Sequence, residues 1–266
     1  MLDPPDGSAL VTRLRIAGCV FAEDEAEVLL ASARTGTELE QMVQQRVAGV
    51  PLEQIVGWAE FAGMRVAIDP GVFVPRRRTE LLLRHVIALA PSRPVVVELC
   101  CGSAALSLAL ASTLNEIELY ATDLDPAAVR CARRNLSQLP VTAGVREGDL
   151  YEPLPSSLRG RVDLLLANAP YVPTDAISLM PPEARLYEPQ LALDGGSDGL
   201  YVLRRIIAEA ARWLAPNGHL LVETSRSQAS ATVLALERHG MTGRIVTSDE
   251  LDATAVVGCL ATADHR

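Results

Sequence analysis

Asn168-Ala169-Pro170-Tyr171 follows directly on the apolar run Val162-Asp163-Leu164-Leu165-Leu166-Ala167. A short aliphatic run closed by a turn reads as a buried strand of a parallel sheet, and such sheets gather ligands at the carboxyl ends of their strands. At that place the tetrapeptide supplies an amide side chain, a stiffened backbone and an aromatic ring within one loop. The set suits gripping a planar nitrogen-bearing group such as an amide or a nucleobase. An ordinary Asn/Pro turn has the same composition, so the choice rests on what lies upstream.

Upstream, three successive strand candidates each finish on an acidic residue. Val95-Val96-Val97-Glu98-Leu99 runs into Cys100-Cys101-Gly102-Ser103-Ala104-Ala105-Leu106. Such a small-residue turn lets a ligand approach the backbone and a helix N-terminus, although small residues also serve close helix–strand packing. A dinucleotide fingerprint needs G-x-G-x-x-G and only Gly102 is present, so pyrophosphate fits poorly. Glu98 suits instead a positive charge or an amino group. The second strand leads into Thr122-Asp123-Leu124-Asp125-Pro126. Asp123 is placed there to accept from both hydroxyls of a ribose, whereas Asp125-Pro126 reads as N-cap and first helical residue. The third strand ends in Gly148-Asp149-Leu150, where Asp149 is able to accept from an adenine amino group while Leu150 packs on the ring.

The elements that must position these residues alternate. Strands are predicted at 95–100, 117–122, 143–147, 162–167 and 219–223, with helices at 79–90, 103–113, 126–138 and 200–214 between them, which indicates a doubly wound, mostly parallel α/β sheet. A helix near 228–239 and two short strands near 243–247 and 255–260 follow, the strands joined by a polar turn as an antiparallel C-terminal edge. Residues 1–50 carry three helical stripes: Leu10, Leu14 and Ala17; Ala26, Leu29, Leu30 and Ala33; Leu39, Met42, Val43, Arg46 and Val47. Gly18 and Gly36 are the expected breaks. Residues 51–75 read as a linker with a hairpin around Phe61–Ile68, and residues 76–266 as the main domain.

The 266 residues are 49% hydrophobic but only 4% aromatic, with a net charge of −9. That balance argues against a broad phosphate-binding face, so direct nucleic-acid binding is not expected; Arg76-Arg77-Arg78 is the local exception, expected near the mouth of the substrate site. The five cysteines (Cys19, Cys100, Cys101, Cys131, Cys259) lack CxxC spacing, and His85, His219, His239 and His265 lack ligand spacing, so no metal is expected. No charged-then-apolar leader opens the chain and no apolar run approaches membrane-spanning length. The expectation is a soluble protein of the reducing cytoplasm.

Taken together, Glu98-Leu99-x-x-Gly102-Ser103, Asp123, Gly148-Asp149-Leu150 and Asn168-x-Pro170-Tyr171 resemble a class I S-adenosylmethionine-dependent methyltransferase, with its Rossmann-like fold. Pro70–Arg76 through Thr79-Glu80, Tyr187-Glu188-Pro189 with Leu191-Ala192-Leu193, and Asp194–Leu200 narrow the resemblance to the release-factor glutamine N5-methyltransferases. It runs from about Leu52 to the C-terminus; the helical N-terminal part matches in general character and looks short for the family. The resemblance implies S-adenosyl-L-methionine bound by Glu98, Cys100, Cys101, Gly102, Ser103, Ala104, Asp123, Leu124, Asp149, Leu150 and Asn168. It further implies a glutamine-bearing protein substrate, a release factor being the family's case, with its amide held by the Asn168 side-chain oxygen and the Ala169 carbonyl while Pro170 stiffens the loop and Tyr171 stacks against or packs the amide plane. An N-methyltransferase of a nucleobase or small amide, and a catalytically inactive cofactor-binding module, are the alternatives.

Departures from the family pattern mark a divergent paralogue. Ala169 replaces a proline, which retains the carbonyl and loses about 1 kcal/mol of preorganisation. Cys100, Cys101 and Ala104 stand where glycine, threonine and glycine are usual, and the Ala104 methyl is expected to face the cofactor's approach. Arg77-Arg78 replaces a proline and an acidic residue.

Overall fold

Every residue of Val95–Leu99 is buried, as a run that is aliphatic but for Glu98 requires of a strand covered on both faces. The computed structural model describes residues 7–137, 139 and 142–261. His265 and position 138, the end of one expected helix, lie outside the described residues.

The chain opens with α1 (Gly7–Ile16), α2 (Ala22–Ser32), α3 (Gly36–Val47) and the short α4 (Leu52–Val56), then a hairpin of β1 (Trp58–Phe61) and β2 (Met64–Ala67). The sheet domain follows as α5 (Glu80–Leu89), β3 (Val95–Leu99), α6 (Ala105–Thr113), β4 (Glu118–Asp123), α7 (Pro126–Leu136), β5 (Thr142–Glu147) and β6 (Val162–Ala167). After these come α8 (Pro182–Tyr187), α9 (Tyr201–Trp213), β7 (Leu214–Glu223), α10 (Ala229–Arg238), β8 (Met241–Ser248) and β9 (Ala253–Leu260).

Seven strands form one sheet in the order β5-β4-β3-β6-β7-β9-β8. The first five in that order are parallel, and β9 runs antiparallel to both β7 and β8. The chain leaves β3 toward β4 and β5, then returns to β6 on the other side of β3. This reversal opens a crevice at the carboxyl ends of β3 and β6, the place where doubly wound sheets bind ligands.

Alternate strand residues face two apolar layers. Val96, Leu119, Leu164 and Leu221 pack with α5, α6 and the hairpin, while Val97, Leu99, Leu165 and Val222 pack with α9 and α10. On α9 the buried Leu203, Ile206, Ile207, Ala210 and Trp213 recur at helical spacing, and the Trp213 ring stacks on Tyr151 at 5.5 Å. At the head of α7 the Asp125 side chain accepts from the Ala127 N–H at 2.8 Å with Pro126 at the first turn, the cap expected from those residues.

The first three helices have their own apolar cluster, including Leu10, Leu14, Leu29, Leu39 and Val43. Three expected stripe members depart from it: Ala17 lies beyond the end of α1 and is exposed, as are Leu30 and Val47. Gly18 breaks the chain at φ +93°, whereas Gly36 begins α3 behind a Thr35 cap. The hairpin sits earlier than expected because Ala62 and Gly63, both at positive φ, make its turn. α4 replaces part of the expected linker; Ile55 and Val56 pack on the helical cluster, and Gly57 ends it at φ +80°. β7 begins at Leu214, five residues before the expected His219, with a register shift opposite β6.

Candidate active site

The turns at the ends of β3, β4 and β5 are laced together by hydrogen bonds between backbone and side-chain groups. The Gly102 and Asp125 N–H groups donate to Asp123 Oδ2 and Oδ1 at 2.8 and 2.9 Å, the Cys101 N–H to the Thr122 carbonyl, and the Thr122 hydroxyl to the Leu150 carbonyl. Each Asp123 oxygen retains a second acceptor position. Burial pushes the Asp123 carboxyl up, against the lowering effect of those N–H donors.

Glu98, in mid-sheet, is buried, and its Oε2 accepts from both the amide and the hydroxyl of Ser107. Its Oε1 has no hydrogen-bond partner among the described residues and Glu98 lines the cavity. Burial, with Asp123 beside it, raises the carboxyl to about 7 although Ser107 pulls the other way. Asp149 Oδ2 accepts from Arg205 Nη2 at 2.7 Å, leaving Oδ1 as an acceptor, and Leu150 closes the wall next to it.

Cys100, Gly102 and Ala104 all adopt positive φ (54°, 55° and 59°). Cys100, Cys101, Gly102 and Ser103 line the cavity; Ala104 does not. Its methyl is wholly buried in the core beneath the turn, which corrects the expectation that it faces the cofactor. The change from glycine therefore acts through the backbone: a left-handed residue with a Cβ carries about 1–2 kcal/mol of strain. Burial, followed by the charges of Asp123 and Asp149, pushes the Cys100 thiol far up, so it stays protonated and is no nucleophile.

At the other end of the cavity stands the loop after β6. Asn168 Nδ2 donates to Thr79 Oγ1 at 3.2 Å, and the Thr79 hydroxyl donates to Glu223 Oε2 at 2.6 Å. Glu223 Oε1 accepts from the Tyr171 hydroxyl at 3.1 Å and from Arg78 Nε at 3.0 Å. The Asn168 Oδ1 and the Ala169 carbonyl have no hydrogen-bond partner among the described residues. Burial and the neighbouring Glu223 raise the Tyr171 hydroxyl far above its ordinary value, which excludes it as a base near neutral pH. Thr79 and Glu223 are the functional candidates that sequence reasoning missed. Glu223 ends the strand beside the Asn168 strand, a position that was available as a signal.

The arginine run divides. Arg76 pairs with Glu188 at 2.6 Å and Arg78 with Glu223 at 3.0 Å, both on the cavity wall, while Arg77 points to Glu250 at 3.7 Å. Glu188 also accepts from the Val74 N–H, and its Oε2 is buried with no hydrogen-bond partner among the described residues. Among the described residues no group of three or more His, Cys, Asp or Glu is arranged to hold a metal, and no helix is long and apolar enough to cross a membrane.

The whole crevice encloses about 330 Å³, within the roughly 300–1,000 Å³ of small-molecule sites. Its open Glu98 oxygen, Asp123 acceptors and the apolar wall of Leu124 and Leu150 fit an amino-acid-bearing nucleoside. Fold and site together define a class I S-adenosylmethionine-dependent methyltransferase. The fold is shared with a solved methyltransferase from Pyrococcus furiosus (TM-score 0.57, 14% identity, 84% of this chain and 98% of that one). It is also shared with a ribosomal protein L11 methylase from Lactobacillus delbrueckii subsp. bulgaricus (TM-score 0.53, 15% identity, 74% and 86%). Residues 63–181 match the methyltransferase small domain family.

Three proteins named release factor glutamine methyltransferase align over most of the chain. The one from Geobacter sulfurreducens is 35% identical, covering 82% of this chain and 75% of its own length. Those from Mycolicibacterium smegmatis (38%; 85% and 81%) and Mycobacterium leprae (34%; 91% and 90%) are similar. The chain belongs to the release factor glutamine methyltransferase family.

Proposed function

We propose that this chain methylates the side-chain amide nitrogen, N5, of a glutamine in a peptide-chain release factor. The observation that carries the reading is the Asn168 carboxamide: its nitrogen is tied to Thr79, so its oxygen and the adjacent Ala169 carbonyl are two open acceptors at the crevice. A primary amide offers two N–H donors in one plane, the complement of that pair. In this reading Glu98 accepts from the amino-acid end of S-adenosylmethionine, Asp123 from the ribose, and Asp149 from the adenine beside Leu150. The turn Cys100–Ser103, with Leu124, gives the backbone clearance. When bound, the cofactor supplies an electrophilic methyl group on a sulfonium.

An amide nitrogen is a weak nucleophile because its lone pair is delocalised into the carbonyl. With Tyr171 and the cavity-lining Cys100 and Cys101 held protonated by burial, no strong base among the described residues stands at the Asn168 loop, so the protein's contribution is alignment. Asn168 and the Ala169 carbonyl hold both N–H groups, which fixes the amide plane against the Tyr171 side of the cavity. Excluding water strengthens these bonds. Arg76 and Arg78 are neutralised by Glu188 and Glu223, which speaks for a protein substrate and against direct nucleic-acid binding.

The same proposal includes a cytoplasmic site of action and a division into a helical unit (1–50), a hairpin segment (51–75) and the methyltransferase domain (76–266). The separate apolar cluster of the first helices supports a distinct helical unit, onto which Leu52, Ile55 and Val56 of the following segment also pack. Incubating the purified protein with labelled S-adenosylmethionine and a bacterial release factor, then mapping the label, tests the reading. Label on a glutamine nitrogen is the expected outcome; label on a nucleobase, or on no glutamine, refutes it.

A further inference from the structure

Three residues far apart in sequence form one directional chain of hydrogen bonds beneath the catalytic loop. Glu223, at the end of β7, is 3% exposed. Its two oxygens accept from Arg78, Tyr171 and Thr79, and the ion pair with Arg78 fixes it as the accepting end of the chain. The Thr79 hydroxyl has one proton and spends it on Glu223 Oε2 at 2.6 Å. Toward Asn168, 3.2 Å away, Thr79 Oγ1 is therefore left as an acceptor, and only the amide NH₂ edge satisfies it. The carboxamide is planar with its two polar atoms on opposite edges, so fixing the nitrogen against Thr79 turns Oδ1 the other way.

We propose that Glu223, acting through the Thr79 hydroxyl, is a positioning residue that determines which edge of the Asn168 carboxamide is presented to the substrate. This deepens the methyl-transfer reading above and rests on it. A free Asn presents either edge; a substrate amide requires the oxygen edge, and the NH₂ edge opposed to its N–H groups would repel them. The Tyr171 hydroxyl donates to the other oxygen of the same carboxylate at 3.1 Å. One buried group thus orders both side chains of the loop.

The test uses the full-length protein, a purified bacterial release factor and labelled S-adenosylmethionine. Thr79→Val keeps the shape and removes the relay; turnover falls at least about tenfold, as expected when alignment at a reacting centre is lost. Cofactor affinity by calorimetry is unchanged, and Thr79→Ser, which returns the hydroxyl, recovers most of the turnover. Glu223→Gln reverses the polarity: its NH₂ donates to Thr79, whose hydroxyl is then free to donate to Asn168 Oδ1. Turnover falls here too, although the side chain keeps its size.

A second readout needs no turnover. The Asn168 side-chain NH₂ signals in the ¹⁵N–¹H NMR spectrum, identified by their loss in Asn168→Ala, shift in Thr79→Val and Glu223→Gln and hold their place in Thr79→Ser. Should Thr79→Val not fold, Glu223→Gln carries the comparison. Unmoved signals, or undiminished turnover beside an active wild type, overturn the relay. A wild-type protein that leaves the glutamine unlabelled sinks the methyl-transfer reading alone, because the NH₂ signals still report on the relay.

Discussion

Arg46 on α3 and Glu183 on α8 stand 3.1 Å apart, an ion pair that joins the N-terminal helices to the segment leading to Glu188 on the cavity wall. The same guanidinium holds Glu25 at 2.6 Å, where both side chains are nearly buried (9% and 12% exposed). Tyr187 adds a hydrogen bond from its hydroxyl to the Ala48 carbonyl. The helical unit is therefore fastened to the site through polar contacts as well as through the chain.

Burial decides how much each contact contributes. Arg46→Ala strands the Glu25 carboxylate and is expected to destabilise the protein by about 3–5 kcal/mol, the usual cost of breaking a buried pair. Glu183→Gln removes a carboxylate that is 38% exposed and is expected to cost less than about 1 kcal/mol. Urea unfolding of the two variants measures the contrast; equal losses would refute it.

Glu98 makes stability depend on pH. Its carboxyl is raised by burial to about 7 from an ordinary 4.5, so the folded state binds more protons than the unfolded chain between those values. The stabilising contribution of this group is then fully present below the unfolded pKa and is lost as pH rises through the folded one. Glu98→Gln stays neutral and escapes the loss. The variant's advantage in melting temperature is expected to grow between pH 4.5 and 7 and to level off above; a constant difference across that window contradicts the assignment.

Ala104→Gly separates backbone strain from obstruction. Glycine relieves the left-handed strain but removes a buried methyl and gains freedom in the unfolded chain, so net stability is expected to change by no more than about 1 kcal/mol. Affinity for S-adenosylmethionine, measured by calorimetry, should be unaltered because the methyl points into the core. A marked gain in affinity would place the methyl on the cofactor's path.

Asn168→Ala removes one hydrogen bond, to Thr79, and is expected to keep stability within about 1 kcal/mol. Methyl transfer should fall by at least about a hundredfold, comparable to losing one preorganised hydrogen-bonding group at a reacting centre. Normal turnover on the release factor would reduce Asn168 to a turn residue.

Much of the frame was legible along the chain. The aliphatic runs at 95–99 and 162–167 announce central strands because burial on both faces leaves no alternation, and α9 shows its helical period in its buried residues. Asp125-Pro126 marks a helix start through local hydrogen bonding alone. The structure gathers Glu98, Asp123, Asp149 and Asn168 around one cavity, as their places at successive strand ends require. Elements shaped by tertiary contacts were not legible: α4 depends on the helical cluster it packs against, and α8 has too few residues to show a period.

The sequence by itself determined the order of strands and helices, hence the sheet and the crevice, because hydrophobic periodicity and capping act between near neighbours. Only the tertiary structure decided which way the side chains work within that crevice. Thr79 meets Asn168 across 89 positions and Glu223 across 144, and no local pattern records a contact of that range. The Arg76–Arg78 run looked like free positive charge until Glu188 and Glu223 were folded against it. Ala104, expected beside the cofactor, has its methyl buried in the core cluster. Hydrogen-bond direction, charge compensation and the facing of a Cβ are properties of atoms brought together by folding, and they carry no signature in the order of residues.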